Sequence, residues 1–216
     1  MHPARRIFDS CCSAVGLAAL SPLLVASALA IKLEDGGPVF YAQPRIGKEF
    51  RTFGLLKFRT MVPGADRHGR LTAPGDPRIT RVGRLLRRYK IDELPQLINV
   101  LRGEMQLVGP RPEVEPYVSI FQAQYSVLLR EPPGVTDPAS IVYRHEEQKM
   151  DVAHVEEHYR TQILPDKLQL SLNYLAGRTF VSDVAILFRT VLGLGLSEKR
   201  LRAATKPKQQ RNPRPA

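Results

Sequence analysis

The stretch YKIDELPQLINVLRGEMQLVGPRPE, from Tyr89 to Glu113, places two carboxylates, Asp92 and Glu93, inside the most arginine-rich part of the chain. From Arg78 to Arg111 the sequence has eight basic residues against three acidic ones. The pair has a structural interpretation, because an aspartate at a helix start caps free amides and a glutamate in the first turn suits the helix dipole. It also has a chemical interpretation, in which the arginines prepare the pair for an anionic ligand.

Basic residues from three separate segments favour the chemical interpretation. Arg87 lies five residues before Asp92, the motif KFRT supplies Lys57 and Arg59, and the stiff segment GPRP presents Arg111. Planar guanidinium groups bind phosphate oxygens through paired hydrogen bonds. The arrangement therefore indicates a phosphate-binding site.

An ionised aspartate in such a site has a plausible reaction available to it. Surrounding cations keep a carboxylate ionised, and an ionised aspartate can attack phosphorus to form an acyl-phosphate. The adjacent Glu93 can hold magnesium, which usually takes one or two protein carboxylates together with phosphate oxygens. The metal and the arginines would neutralise the charge that develops during phosphoryl transfer. Spacing alone leaves both interpretations of the pair open.

The periodicity around this stretch predicts a mainly helical α+β fold. Apolar residues recur at helical spacing over residues 79–89, and Asp92 is expected to cap a following helix that ends at Gly103. Residues 36–47 and 50–61 have the pattern of a turn with a short strand and of a second strand. Further helices are expected over residues 115–131, stopped by two prolines, over residues 152–175, with a break at Pro165, and over residues 179–196, an apolar helix suited to a membrane interface.

A charge-free apolar segment of 22 residues, 10–31, is long enough to cross a membrane. Ser21 and Pro22 interrupt it, and each half is too short to span by itself. A re-entrant helix-break-helix keeps Arg5, Arg6 and the basic remainder of the chain on one side, as the positive-inside rule favours. A kinked single span remains an alternative, whereas a cleaved signal peptide is disfavoured because no cleavage site is evident.

The amino-acid composition narrows the classes of binding partner that the chain could have. A net charge of +11 and a pI of about 10 imply a polyanionic partner: nucleic acid, anionic lipid or a phosphorylated ligand. The adjacent Cys11 and Cys12 are interpreted as small hydrophobic residues. His145, His154 and His158 could suggest metal ligation, but a solvated helix face explains them better because a matching third ligand is missing.

Several motifs together resemble one protein family. They are LSPLLVASALAIKLEDGGPVFYAQPRIG, LLKFRTM, DPRITRVGRLLRRYKIDELPQLINVLRGEMQLVGPRPE and PPGVTDPASIVYR, and they occur in family order from about Arg5 to Leu196. The family is that of the bacterial sugar transferases, the small monotopic phosphoglycosyl transferases that act on polyprenol phosphate. The resemblance implies a two-step reaction in which Asp92 displaces UMP from a UDP-sugar. Polyprenol phosphate, commonly undecaprenyl phosphate, then takes the phosphosugar from the enzyme, in the first membrane step of glycan assembly.

The resemblance also implies roles for the candidate residues. Asp92 would be the nucleophile, Glu93 would be catalytic and bind Mg²⁺, and the substrate phosphates or nucleotide would contact the basic side chains Lys57, Arg59, Arg87 and Arg111. Ser21 and Pro22 match the break of the family's re-entrant membrane helix, which favours the hairpin over the single span.

The implied organisation has three parts: a basic leader and re-entrant membrane helix over residues 1–33, a compact cytoplasmic catalytic domain with interfacial amphipathic helices over residues 34–198, and a basic disordered tail over residues 199–216. The expected partners are a UDP-sugar, polyprenol phosphate and the lipid of the bacterial inner membrane, with the catalytic domain facing the cytoplasm. No nucleic-acid partner is expected, and a homodimer remains open.

Two departures limit the resemblance. Many relatives carry PGITG where this chain has PGVTD, and the histidine-rich segment RHEEQKMDVAHVEEH gives no known sugar code, so the sugar is left open. One competing hypothesis is a basic membrane-bound module that binds nucleic acid or anionic lipid, which predicts tight, salt-sensitive binding that tolerates Asp92→Asn. The other is an enzyme-like scaffold that has lost activity, against which the retention of every motif residue argues.

Overall fold

A computed structural model describes residues 3–65, 72, 75–144 and 154–193. Its first two helices are α1 (Pro3–Ala19) and α2 (Ser21–Asp35), which meet at an angle of 62°. The Ser21 hydroxyl donates a 2.8 Å hydrogen bond to the carbonyl of Ala18 at this corner. The expected break at Ser21 and Pro22 is thus confirmed as a break between helices.

The length and apolar composition of each described helix show whether that helix could cross a membrane by itself. None of them is, by itself, both long and apolar enough to cross one, although the bent pair α1 and α2 taken together meets both criteria.

Both predicted strands are present as an antiparallel hairpin. Strand β1 (Phe40–Ile46) pairs with β2 (Thr52–Phe58), and Tyr41 lies opposite Lys57. Since directly opposed residues of a pair point to the same face, Lys57 shares a face with Arg45 of β1. The hairpin therefore presents two cations on one side.

The segment that carries the acidic pair differs from the prediction. Helix α3 (Arg81–Arg88) is followed by a single 3₁₀ turn (Ile91–Glu93) and then by α4 (Gln96–Arg102), which ends as predicted at Gly103 with φ +84°. Asp92 lies inside the 3₁₀ turn and caps no helix, because α4 begins after Pro95 without a side-chain cap. The predicted cap is therefore wrong.

The apolar face of α3 is also only partly buried. Leu86 packs inside, but Leu85 and Tyr89 are 55 % and 60 % exposed. Helical spacing identified the apolar residues correctly, but a helix of two turns covers too little of the core to bury all of them.

A second small sheet joins the segment just before Arg111 to a segment after it. Strand β3 (Gln106–Val108) runs parallel to β4 (Gly134–Thr136), and the helices α5 (Glu115–Ile120) and α6 (Gln122–Leu128) lie between them. The single helix predicted here is thus divided, at Phe121. Helix α7 (Pro138–Val142) completes the segment PGVTDPAS.

The C-terminal helices are largely as predicted. Helix α8 (Val155–His158) continues through a π-helical turn (Tyr159–Ile163) into α9 (Leu164–Ala176), and α10 (Phe180–Val191) follows. Pro165 does not break the helix, because the wider π turn just before it accommodates the missing amide and the ring. The predicted tail and His145 lie outside the described residues.

Three groups of buried side chains hold these elements together. The largest joins β1 and helices α5, α6 and α9, the second joins β2, α4, β3 and α10, and the third joins α2, β2 and α3. With two small sheets among ten α-helices in the described residues, the α+β, mainly helical class is confirmed. The second and third groups bring β2, α3 and α4 around the 3₁₀ turn.

Candidate active site

The acidic pair sits on a turn whose backbone is itself unusual. Lys90, just before the turn, has left-handed backbone angles of φ +58° and ψ +23°. Such a conformation is uncommon for a residue other than glycine. The chain changes direction here between α3 and the 3₁₀ turn, and Asp92 lies inside, where only 7 % of its surface is exposed.

The carboxylate of Asp92 is poorly satisfied. Its Oδ1 atom is buried and accepts no hydrogen bond from the described residues. Burial, and then the neighbouring Glu93, raise the pKa of Asp92, while the charges of Lys57, Lys90 and Arg87 oppose this rise. A buried oxygen without a partner is rare in folded proteins, and it often marks a catalytic role.

Glu93 has the opposite environment. The Arg111 guanidinium binds it with two nitrogens, at 2.5 Å to Oε1 and 3.1 Å to Oε2. Burial alone would raise the pKa of Glu93, but the charges of Arg111 and Lys57 outweigh burial and hold that pKa well below its usual range. The two adjacent carboxyl groups therefore differ: Glu93 is firmly ionised, and Asp92 is the more basic of the two.

Lys57 completes the charge distribution from strand β2. Burial lowers the pKa of its ammonium to about 8, with Arg111 and Arg45 adding to the effect and Glu93 and Asp92 opposing it. A lysine held in this way is a cation whose charge is sensitive to pH near neutrality. Lys57 is near enough to Asp92, Glu93 and Arg111 to interact with their charges, and a cation in this position suits an anionic ligand.

A residue that the sequence analysis did not single out, Asn99, holds α4 against β2. Its Oδ1 accepts a 3.0 Å hydrogen bond from the amide of Leu56, and its Nδ2 donates to the Gly54 carbonyl at 2.8 Å and to Glu104 at 2.7 Å. Asn99 is completely buried. Asn99 thereby binds the backbone amide and carbonyl groups on the unpaired edge of β2. These bonds hold α4, and with it the preceding 3₁₀ turn, next to the strand that carries Lys57.

A second ion pair, also not foreseen, fixes the loop that carries Arg111. Arg45 of β1 binds Glu113 at 2.8 Å, and the Tyr159 hydroxyl donates to the same carboxylate at 3.0 Å. Burial would raise the pKa of Glu113, but the charges of Arg45 and Lys167 lower it below its usual value. The only sequence signal for this pair was the motif GPRPE itself, whose prolines limit the backbone.

The predicted phosphate-binding residues do not all meet. Arg87 lies in the last turn of α3, donates to the Thr72 hydroxyl at 3.1 Å, and lies close enough to Asp92 for its charge to oppose the rise in the pKa of Asp92. Arg59, in contrast, is buried elsewhere: its guanidinium binds Asp35 and the carbonyls of Pro38 and Met61. This placement does not support the predicted phosphate contact of Arg59, because its donors are already used within the protein.

The side chains around the acidic pair show whether the site could hold the expected magnesium ion. Within the described part of the chain, no three His, Cys, Asp or Glu side chains converge on one point. Asp92 and Glu93 are neighbours in the same 3₁₀ turn, and Mg²⁺ commonly uses one or two protein carboxylates plus phosphate oxygens. The residues thus fit a metal ion that arrives with a phosphorylated substrate, Asp92 Oδ1 being the oxygen without a bond.

Comparison with known proteins adds independent information. The chain is 36 % identical over 193 residues to the UDP-N-acetylgalactosamine-undecaprenyl-phosphate N-acetylgalactosaminephosphotransferase of Aeromonas hydrophila, covering 87 % of this chain and 42 % of that protein. It is 36 % identical over 210 residues to the exopolysaccharide production protein ExoY of Sinorhizobium fredii, covering 90 % of this chain and 86 % of that protein.

A further relative is more similar over a shorter stretch. The UDP-glucose:undecaprenyl-phosphate glucose-1-phosphate transferase of Caulobacter vibrioides is 43 % identical over 147 residues, covering 63 % of this chain and 53 % of that protein. The chain thus spans about half the length of two of these relatives and most of the third. The sequence model of the family described as bacterial sugar transferase matches residues 1–195. The chain therefore belongs to the bacterial sugar transferase family.

Proposed function

We propose that this protein transfers a sugar-1-phosphate from a UDP-sugar to polyprenol phosphate and releases UMP. The observation that carries the proposal is the buried Asp92, whose Oδ1 has no hydrogen bond and which lies among Lys57, Lys90 and Arg87. The names of the relatives support the choice of substrates, since two of them name a UDP-sugar and undecaprenyl phosphate.

In the first step Asp92 acts as the nucleophile. A carboxylate oxygen of Asp92 forms a bond to the phosphorus that bears the sugar, and the bond from that phosphorus to the bridging oxygen breaks. UMP leaves with the electron pair, and the sugar phosphate stays on the enzyme as an acyl-phosphate. In the second step an oxygen of polyprenol phosphate attacks the same phosphorus, which frees Asp92 and yields a polyprenyl diphosphosugar.

The cations of the site stabilise the charge that moves during both steps. Lys57 and Arg87 lie near enough to Asp92 to lower its pKa, so they can also neutralise an attached phosphoryl group. Arg111 is bound to Glu93 through two nitrogens, so its guanidinium sets a positive charge beside the acidic pair that can stabilise a bound phosphate. The raised pKa of Asp92 makes its ionised form the more basic and hence the more reactive nucleophile.

Glu93 would hold a magnesium ion together with the substrate diphosphate, next to the nucleophile Asp92. Such an ion neutralises phosphate charge and improves UMP as a leaving group. The charges of Arg111 and Lys57 keep the Glu93 carboxylate ionised at neutral pH, as a metal ligand must be, and one of its oxygens would exchange its bond to Arg111 for the metal.

The proposed acceptor requires contact with a membrane, which the N-terminal helices support. The bent pair α1 and α2 exposes Val15, Val25, Leu29 and other apolar side chains, and α10 exposes a further apolar face. We propose that α1 and α2 form a re-entrant hairpin in the bacterial inner membrane, with the rest of the chain on the cytoplasmic side. The active site would then lie at the level of the lipid phosphates.

Mass measurement of the intact protein tests the proposed function. The purified protein is incubated with Mg²⁺ and a series of UDP-sugars, and a mass increase by one phosphosugar together with UMP release is expected. The variant Asp92→Asn should show neither, whereas Asp166→Asn, an aspartate on α9 that accepts a bond from Tyr143, should behave like the wild type. Release of UDP, or full activity of Asp92→Asn, would overturn the mechanism.

A further inference from the structure

Two acidic residues at the end of α2, Glu34 and Asp35, contact the start of α3 and the end of β2, the two elements that lead into the active site. Glu34 accepts hydrogen bonds from the backbone amides of Arg81 at 2.7 Å and Val82 at 3.3 Å. These are the first amides of α3, which have no partner within the helix. A carboxylate there also suits the positive end of the helix dipole.

Asp35 makes the second contact. It binds Arg59 through both carboxylate oxygens, one of them at 2.6 Å, and accepts a 3.0 Å bond from the Gly37 amide. Arg59 directly follows β2 and donates at 2.6 Å to the carbonyl of Pro38. The end of α2 is thereby tied to the strand that carries Lys57.

Apolar packing lies beneath these polar contacts. Ile31 of α2, Phe58 of β2 and Leu86 of α3 form one buried group, and Ile91 packs against it. Ile91 immediately precedes Asp92 in the 3₁₀ turn. An unbroken set of contacts therefore leads from the second helix of the hairpin to the candidate nucleophile.

We infer that Glu34 and Asp35 are positioning residues that hold the acidic pair at a fixed height relative to the membrane hairpin, for use by the lipid phosphate. The inference rests on the proposed function and on the re-entrant hairpin. Asp35 fixes β2 with Lys57, and Glu34 fixes α3, which leads to Asp92. Neither carboxylate is placed in the catalytic machinery itself.

The two substrates respond differently to such positioning. A nucleotide sugar in solution can approach the site at any height, so its reaction with Asp92 needs no fixed distance to the membrane. A polyprenol phosphate is anchored by its chain, so its phosphate is presented at one depth. If the site is correctly placed for only a fraction of the time, the apparent affinity for the anchored substrate falls by that fraction.

The experiment compares the two half-reactions in lipid nanodiscs. The burst of UMP and the mass adduct report the first step, and the KM for polyprenol phosphate reports the second. The test variants are Glu34→Gln and Asp35→Asn, which keep the shape of each side chain. Glu115→Gln is the matched control, because Glu115 lies in the first turn of α5, away from the hairpin, and its loss changes the net charge equally.

We expect each test variant to keep the wild-type burst and to raise the KM for polyprenol phosphate about two- to fivefold, because the amide oxygen still accepts the backbone hydrogen bonds and only the carboxylate charge is lost. Glu34→Asp, which keeps the anion, and Glu115→Gln should keep the wild-type KM. An unchanged KM in both test variants, or a burst that falls as much as turnover, would overturn the inference. Absence of the adduct in the wild type would instead overturn the proposed function.

Discussion

Replacing Asn99 by alanine tests how the site is assembled. The change removes three hydrogen bonds and leaves the Leu56 amide and the Gly54 carbonyl without their partner. Leaving a buried polar group unsatisfied costs about 1–3 kcal/mol. Both backbone groups are half-buried, so the lower part of that range applies to each, and the free energy of unfolding should fall by about 3 kcal/mol.

The loss should be visible in thermal unfolding. For a chain of this length, 1 kcal/mol corresponds to about 2–4 °C in melting temperature, so Asn99→Ala should melt about 6–12 °C below the wild type. Circular dichroism of the protein in lipid nanodiscs measures this shift. The adduct with Asp92 should also form more slowly, because α4 is released from the edge of β2 next to Lys57.

Asn173→Ala is a suitable control for this experiment. Asn173 accepts a hydrogen bond from Gln169 on the outer part of α9, and no backbone group depends on it. Its loss should cost about 1 kcal/mol or less. If Asn99→Ala melts within about 2 °C of the wild type, which the same scaling equates with about 1 kcal/mol or less, the side chain does not hold the helix to the strand as described here.

Two further changes address the charges of the site. As the pH is lowered, the rate of adduct formation should begin to fall at a pH above the usual pKa of an aspartate, because the pKa of Asp92 is raised and only its ionised form attacks. The rate should also fall as the pH rises through about 8, where Lys57 loses its charge. In Lys57→Arg the alkaline fall should disappear, since arginine stays charged; its persistence would exclude Lys57 as the titrating group. Arg111→Ala should lower the free energy of unfolding at pH 7 by about 2–3 kcal/mol, because it leaves the mostly buried Glu93 unpaired. As the pKa of Glu93 is depressed by folding, this loss should shrink as the pH falls below about 4, which denaturation at several pH values measures, and a pH-independent loss would contradict it.

Many of the candidate site residues could be predicted from local sequence motifs. The acidic pair in DELPQL, the arginine of GPRP and the lysine of KFRT were all identified as candidates, and the structure brings Asp92, Glu93, Lys57 and Arg111 together. The helix-ending Gly103 and the two hairpin strands were also predicted correctly, because both features depend on neighbouring residues alone. The helix break at Ser21 and Pro22 was likewise predicted correctly from neighbouring residues.

Two residues lie elsewhere than residue type suggests. Asp92 was expected to cap a helix, which is wrong, and Arg59 was expected to contact phosphate, which stays a prediction. The backbone turn at Lys90 directs Asp92 inward, and Asp35, 24 positions before Arg59 in the sequence, takes up the Arg59 guanidinium. Neither event has a local signal, because each depends on which distant segments meet.

The sequence by itself determined the family, the fold class and the list of chemically capable side chains, because these follow from residue type, spacing and periodicity. The tertiary structure alone decided which side chains share an environment. Burial and the cations of three segments make adjacent carboxyl groups unequal, so that the pKa of Asp92 is raised and that of Glu93 is lowered. Charge interactions depend on distance and on exposure to water, and only the folded chain sets both.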